Sequence, residues 1–165
     1  DGPVEVGPVG AGTGATVSGG GPLTAAGDPA PRQPGGLVTG GARVGDLVVA
    51  ALVAVNAAGV PGADDGVAVD VARALGTAGR SERGFGNTTI GLVATNAALD
   101  KVGCFLVAQG AHDGLARAVF PAHTRSDGDA FVTAAVGGVP ADVDAVRSLA
   151  AHVVARAIGA LAGPR

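Results

Sequence analysis

The chain has 165 residues, a formal net charge of −3 and 47% hydrophobic residues, mostly Ala and Val, beside 30 Gly, four Phe and no Trp, Tyr or Met. This length suits one domain with a core of small side chains, and the lack of a basic cluster argues against a nucleic-acid partner. The longest apolar run, Leu47 to Val55, falls far short of the ~20 residues of a membrane helix, so no membrane partner is expected.

Residues 4–17 alternate Val with Gly at nearly every second position, which predicts a strand or strand–turn with close backbone packing. Residues 19–41 are rich in Gly, Pro and small polar residues and predict a loop. Residues 48–56 form an apolar run closed by Asn56, the pattern of a buried strand, and a turn is expected over 57–62. Residues 63–86 are polar and irregular, with one helical turn expected near 67–75, and an exposed segment there suits a processing site at its end.

A second strand is predicted over 89–95. A helix follows over 100–120, with Cys104, Ala108, Ala111, Leu115 and Ala118 on one stripe and Pro121 ending it. Cys104 is thereby expected in the core. A third strand is predicted over 130–136. Asp142 is the expected N-cap of a last helix striped by Val143, Val146, Ala150, Val153, Ala157 and Leu161, stopped at Gly163-Pro164. Strands and one-sided helices together predict a layered α/β architecture.

The single cysteine leaves no internal disulfide and fits a reducing, cytoplasmic setting. No secretory signal is read at the start. The opening Asp1-Gly2-Pro3 lacks a Met, as a trimmed or partial sequence would.

Several stretches carry candidate chemistry. Gly10-Ala11-Gly12-Thr13-Gly14-Ala15 matches the dinucleotide pattern in form, but the pattern requires a helix directly after it. Thr16 to Pro22 cannot start one comfortably, so a glycine-packed strand and turn is the preferred reading. His112, Asp113, His123, Asp127 and Asp129 are metal-ligand types at loose spacing. Asp127-Gly128-Asp129 also reads as a simple turn, or as carboxylates that orient a catalytic amine or hydroxyl. Asn56 is either a turn former or an amide donor to an oxyanion. Thr88 follows a short polar step, Gly84-Phe85-Gly86-Asn87, and opens a β-branched run. Left intact it is an ordinary strand residue. With the preceding bond cut, it would carry a hydroxyl and a free α-amine on adjacent carbons, nucleophile and base in one residue.

The stretch Gly86-Asn87-Thr88-Thr89-Ile90-Gly91-Leu92-Val93-Ala94-Thr95-Asn96 resembles the self-cleavage segment of the P1 family, which includes the DmpA-type aminopeptidases and the nylon-oligomer hydrolases. Residues 10–17, 53–59, 111–118 and 121–131 resemble that family in the same order. The resemblance implies an N-terminal-nucleophile-like hydrolase built as an αββα sandwich, here partial. Residues 1–87 would be the C-terminal part of the α-subunit region and 88–165 the β-subunit region, with cleavage between Asn87 and Thr88. It implies Thr88 as nucleophile, Asn56 in the oxyanion site, and Asp127 and Asp129 as acidic groups near the nucleophile. It further implies a small peptide or other linear amide as substrate, no metal or cofactor, and a homo-oligomer of cleaved precursors. Two positions depart from the family: Ser18-Gly19-Gly20 stands where the nylon-hydrolase branch has a Lys, and Asn96 where an Asp is usual. The alternative is a non-catalytic assembly or binding domain on the same fold, and a metal-dependent hydrolase using His112, Asp113 and His123 is a second rival.

Overall fold

A computed structural model of the chain describes residues 3–17, 32–62 and 86–163. Two long antiparallel strands, β3 (Gly36–Val44) and β4 (Leu47–Val55), form a hairpin closed by Gly45 and Asp46. Strand β6 (Ile90–Ala97) pairs antiparallel with β4, and β8 (Ala130–Val139) pairs parallel with β6. The four-stranded sheet therefore runs β3-β4-β6-β8. Parallel neighbours need a long crossover, and helix α1 (Lys101–Ala118) supplies it. Helix α2 (Val143–Gly159) then returns across β3 and β4 beside α1. Short strands β1 (Thr16–Val17) and β2 (Gln33–Pro34) pair with each other, as do β5 (Val60–Pro61) and β7 (Val119–Phe120).

Side-chain alternation decides which sheet face is covered. Leu47, Val49, Ala51, Val53 and Val55 of β4, with Val93 and Ala97 of β6, point to the helices and are buried. Each fully buried Val contributes roughly 1.5–3 kcal/mol. The opposite face carries Ile90, Leu92 and Val132, all exposed, and an apolar depression of about 340 Å³ whose lining includes Leu37, Leu52 and Ile90. One sheet with helices on one face is one α/β half of the expected αββα sandwich, in keeping with its partial character.

Both helices start as their sequences require. Asp100 accepts from the Gly103 N–H, and Asp142 from the N–H groups of Asp144 and Ala145, satisfying donors that a first turn leaves unpaired. Residues 143–162 are long and apolar enough to cross a membrane, with a mean hydropathy of 1.3. In the fold, Val146, Ala150, Val153, Val154, Ala157 and Ile158 bury this helix against the sheet and α1.

Three expectations need correction. Residues 36–41, read as loop, are the first half of β3. Their glycines suggested a turn, but tertiary pairing with β4 and the approach of α2 over Gly40 favour the extended chain. The buried stripe of α1 is Gly103, Val107, Gly110, Ala111, Gly114, Leu115 and Ala118, and Cys104 lies only half-buried at its margin. A pattern that scores only side chains passes over glycines, although these are where the helices touch. A Cβ at Gly110 would stand 2.8 Å from the Arg147 carbonyl oxygen, and one at Gly114 2.5 Å from that of Ala151. The turn expected over 57–62 also contains β5. The helical turn expected near 67–75 and the Ser18-Gly19-Gly20 departure lie outside the described residues.

Candidate active site

Strand β4 ends at Val55, and the next residue, Asn56, leaves the sheet at the same end at which β6 begins and β8 begins. Three stretches distant in sequence therefore meet at one sheet end: Asn56, the segment 86–89 entering β6, and the segment 127–129 entering β8.

The parallel β6–β8 pairing continues outward past the strands. The Ala130 N–H donates to the Thr89 carbonyl at 3.0 Å, and the Gly128 N–H donates to the Asn87 carbonyl at 3.0 Å. Between these, the Thr89 N–H donates to Asp129 Oδ1 at 2.9 Å. The peptide unit before Thr88 and the one after it are thus both held by 127–130. A Cβ at Gly128 would lie 2.9 Å from Thr88 Oγ1, so a side chain there would turn the exposed hydroxyl aside. Thr88 itself is exposed, whereas Asn87 and Thr89 on either side are buried. The Asn87 side-chain oxygen is buried with no hydrogen-bond partner among the described residues.

The carboxylates brace the surrounding backbone. Asp127 Oδ1 accepts from the Ala58 N–H at 3.1 Å, and its Oδ2 accepts from the Thr124 N–H at 3.0 Å and the Thr124 hydroxyl at 2.6 Å. Asp127 thereby ties the turn after Asn56 to the loop before β8. Asp129 is nearly buried, its side chain 4% exposed, and its Oδ2 lies 2.9 Å from His123 Nδ1.

Asn56 is oriented by its neighbours. Its Oδ1 accepts from the Thr16 N–H at 3.0 Å and its Nδ2 donates to the Gly86 carbonyl at 3.1 Å. Its own N–H donates to the Thr89 hydroxyl at 3.3 Å. A pocket of about 170 Å³ opens beside Thr88, lined by Ala11, Thr13, Gly14, Ala15, Ala54, Asn56 and Ile90. The glycine-rich segment, read from sequence as a strand and turn, is a 3-10 turn at Gly10–Gly12 followed by β1, and it forms one wall of this pocket.

All four predicted site residues, Thr88, Asn56, Asp127 and Asp129, therefore gather at one sheet end. The metal reading disperses: Asp113 turns away to Arg147, 3.3 Å from it, and no group of three or more His, Cys, Asp or Glu able to hold a metal occurs among the described residues. His112 and His123 pack at a tilt of 55° with ring centres 5.0 Å apart, and His112 meets Phe131 edge-on at 5.0 Å. Burial lowers the His112 pKa below its ordinary value of 6.5, and His123 pushes the same way against the opposing pull of Asp129 and Asp113.

Sequence inspection missed the Gly128 N–H on the Asn87 carbonyl and Thr13 on the pocket wall. A backbone donor has no residue signature, and Thr13 lay within a pattern already set aside as packing.

The family model of Peptidase family S58 matches residues 1–162. An uncharacterized aminopeptidase of Mycobacterium tuberculosis (strain H37Rv) is 45% identical over 87 residues, spanning 44% of this chain and 25% of that protein. Among solved structures, the L-aminopeptidase D-Ala-esterase/amidase of Ochrobactrum anthropi superposes with a TM-score of 0.64 at 20% identity, covering 96% of this chain and 44% of that one. That protein has a variant of the Ntn hydrolase fold. The Burkholderia sp. β-aminopeptidase superposes with a TM-score of 0.61 at 26% identity, covering 96% of this chain and 46% of that one. This chain thus spans less than half the length of each of these proteins. With the family model spanning nearly all of its residues, the chain belongs to Peptidase family S58.

Proposed function

We propose that this chain is the self-processing part of an amide hydrolase, an aminopeptidase or amide-oligomer hydrolase, whose nucleophile is Thr88 after cleavage of the Asn87–Thr88 bond. The observation that carries this is the anchoring of both peptide units flanking an exposed Thr88, by the Gly128 N–H on one side and Asp129 on the other.

In the first step Thr88 Oγ attacks the Asn87 carbonyl carbon. The C–O bond forms, the C–N bond breaks, and the hydroxyl proton passes to the departing nitrogen. The product is an ester between Asn87 and the Thr88 side chain. Water opens it, leaving a carboxylate on Asn87 and a free amine on Thr88. Residues 1–87 and 88–165 then form two subunit regions of one folded unit.

In turnover the same hydroxyl attacks the substrate carbonyl while the α-amine takes its proton, which goes on to the leaving amine. An α-amine with a pKa near ~8 suits that exchange around neutral pH. Water then hydrolyses the acyl ester. Asn56 Nδ2, its orientation set by the Thr16 N–H on Oδ1, is the side-chain donor for the developing oxyanion. The pocket beside Thr88 admits a small peptide or a linear amide. Copies of the cleaved precursor assemble into a homo-oligomer, and the one free thiol, Cys104, suits a cytoplasmic setting.

The test is the mass of the purified full gene product after incubation, for wild type and Thr88→Ala, with amide hydrolysis measured on both. A new chain beginning at Thr88, absent from the alanine variant together with all hydrolysis, is the expected result. Undiminished hydrolysis by the alanine variant would assign the chemistry to another residue, and an uncut, inactive wild type would favour a binding domain on the same fold.

A further inference from the structure

Asp129 is held from both sides. One oxygen receives the Thr89 N–H at 2.9 Å, and the other lies 2.9 Å from His123 Nδ1. The Asp129 side chain is almost buried, while that of His123 is 38% exposed. The second ring nitrogen, His123 Nε2, lies 3.4 Å from the His112 carbonyl oxygen, and the two imidazoles meet at a tilt of 55° with their centres 5.0 Å apart. The ring is therefore held at Nδ1 by the carboxylate and flanked by His112.

His123 is also the one non-glycine residue with a positive φ among the described residues, at 55°. A side chain in this left-handed region costs of order 1–2 kcal/mol, and such conformations persist where surrounding contacts over-determine them. The strained backbone and the carboxylate-held ring serve one geometric end. They aim Nδ1 at a carboxylate whose other oxygen grips the amide just after the nucleophile.

We propose that His123 is a positioning residue for Thr88. It locks Asp129 in the rotamer that pins the Thr89 N–H, and so sets where the Thr88 hydroxyl stands relative to the Asn87 carbonyl in cleavage and to the substrate carbonyl in turnover. This rests on the assignment of Thr88 as nucleophile. His123 touches no reacting atom. Its effect passes through one carboxylate and one backbone amide.

The test separates the donor from the backbone. His123→Asn keeps an N–H donor near the Nδ1 position and tolerates positive φ. His123→Gly tolerates the φ but has no donor, and His123→Ala is a second donorless variant that keeps a Cβ. Each is compared with wild type in the full gene product for the rate of Asn87–Thr88 cleavage, for kcat and KM on a chromogenic aminoacyl anilide, and for thermal midpoint.

The expected result is a roughly ten- to hundredfold loss of cleavage rate and kcat in the donorless variants, the scale of a small misplacement of reacting groups. KM stays within about threefold, and His123→Asn recovers most of the loss. Wild-type kcat in folded His123→Gly or His123→Ala would overturn the proposal, as would equal impairment of the Asn and Gly variants. Thr88→Ala in the same assay keeps the two levels apart. If it still hydrolyses the anilide, the nucleophile assignment itself falls and the proposal falls with it; if it is inactive while the donorless His123 variants match wild type, only the His123 assignment falls.

Discussion

The Thr16 N–H donates to Asn56 Oδ1 at 3.0 Å, and this bond decides which end of the amide faces the entry to β6. With the oxygen committed to a strand on one side, the Nδ2 donor is left to the Gly86 carbonyl and the entry of β6 on the other.

Asn56→Asp and Asn56→Ala should therefore diverge. Both remove the Nδ2 donor and should lower kcat by about 10²–10³, the usual effect of losing one oxyanion donor. Only the alanine leaves the Thr16 N–H without its acceptor, at a cost of roughly 1–3 kcal/mol. Denaturant unfolding of the two variants beside kcat measures the split, and equal destabilisation would contradict it.

Gly128→Ala should harm activity far more than folding. Its Cβ would meet Thr88 Oγ1 at 2.9 Å, a rotatable and exposed group that yields by turning away. Stability should change by less than about 0.5 kcal/mol, as at surface positions, while self-cleavage slows by roughly tenfold or more because the hydroxyl has been displaced. Time courses of cleavage on a denaturing gel, beside a thermal melt, test it.

Helix contact and helix end should respond oppositely to the same substitution. Gly114→Ala places a Cβ 2.5 Å from the Ala151 carbonyl oxygen, so α1 and α2 must separate, and a loss of roughly 1–3 kcal/mol is expected from overpacking. Gly159→Ala, at the end of α2, meets nothing within 4 Å and should stabilise by about 0.4–1 kcal/mol by restricting the unfolded chain. Chemical denaturation of both variants distinguishes the sites.

His112 makes stability depend on pH in a defined direction. Its folded pKa lies below the unfolded value of 6.5, chiefly through burial. The unfolded chain therefore binds more protons at this residue as pH falls through 6.5 toward the folded value, so stability is lost on acidification and regained above about 6.5. His112→Gln should flatten that part of the curve between about pH 5 and 7. Unfolding free energy measured across the range checks it, and an unchanged slope would place the titration elsewhere.

Much of the fold was legible because its signals are local. The apolar run ending at Asn56, the β-branched run after Thr88, the apolar stripe after Asp100 and the cap Asp142 all produced the predicted elements. Strand β3 was hidden because Gly36, Gly40 and Gly41 carry turn character, and only pairing with β4 makes them extended. The buried face of α1 was misplaced toward Cys104 because the contact with α2 runs through Gly110 and Gly114.

The same division holds at the site. The resemblance of the motifs around them pointed to Thr88, Asn56, Asp127 and Asp129; read by residue type alone, Thr88 is an ordinary strand residue and Asn56 equally a turn former. Which atoms each one meets was decided by the sheet. Parallel pairing of β6 with β8 sets residues 127–130 alongside 87–90, and from that register follow the Gly128 donor on the Asn87 carbonyl, the Asp129 grip on the Thr89 amide and the His123 brace behind it. Backbone donors are the same at every residue, so only the three-dimensional path of the chain could choose among them.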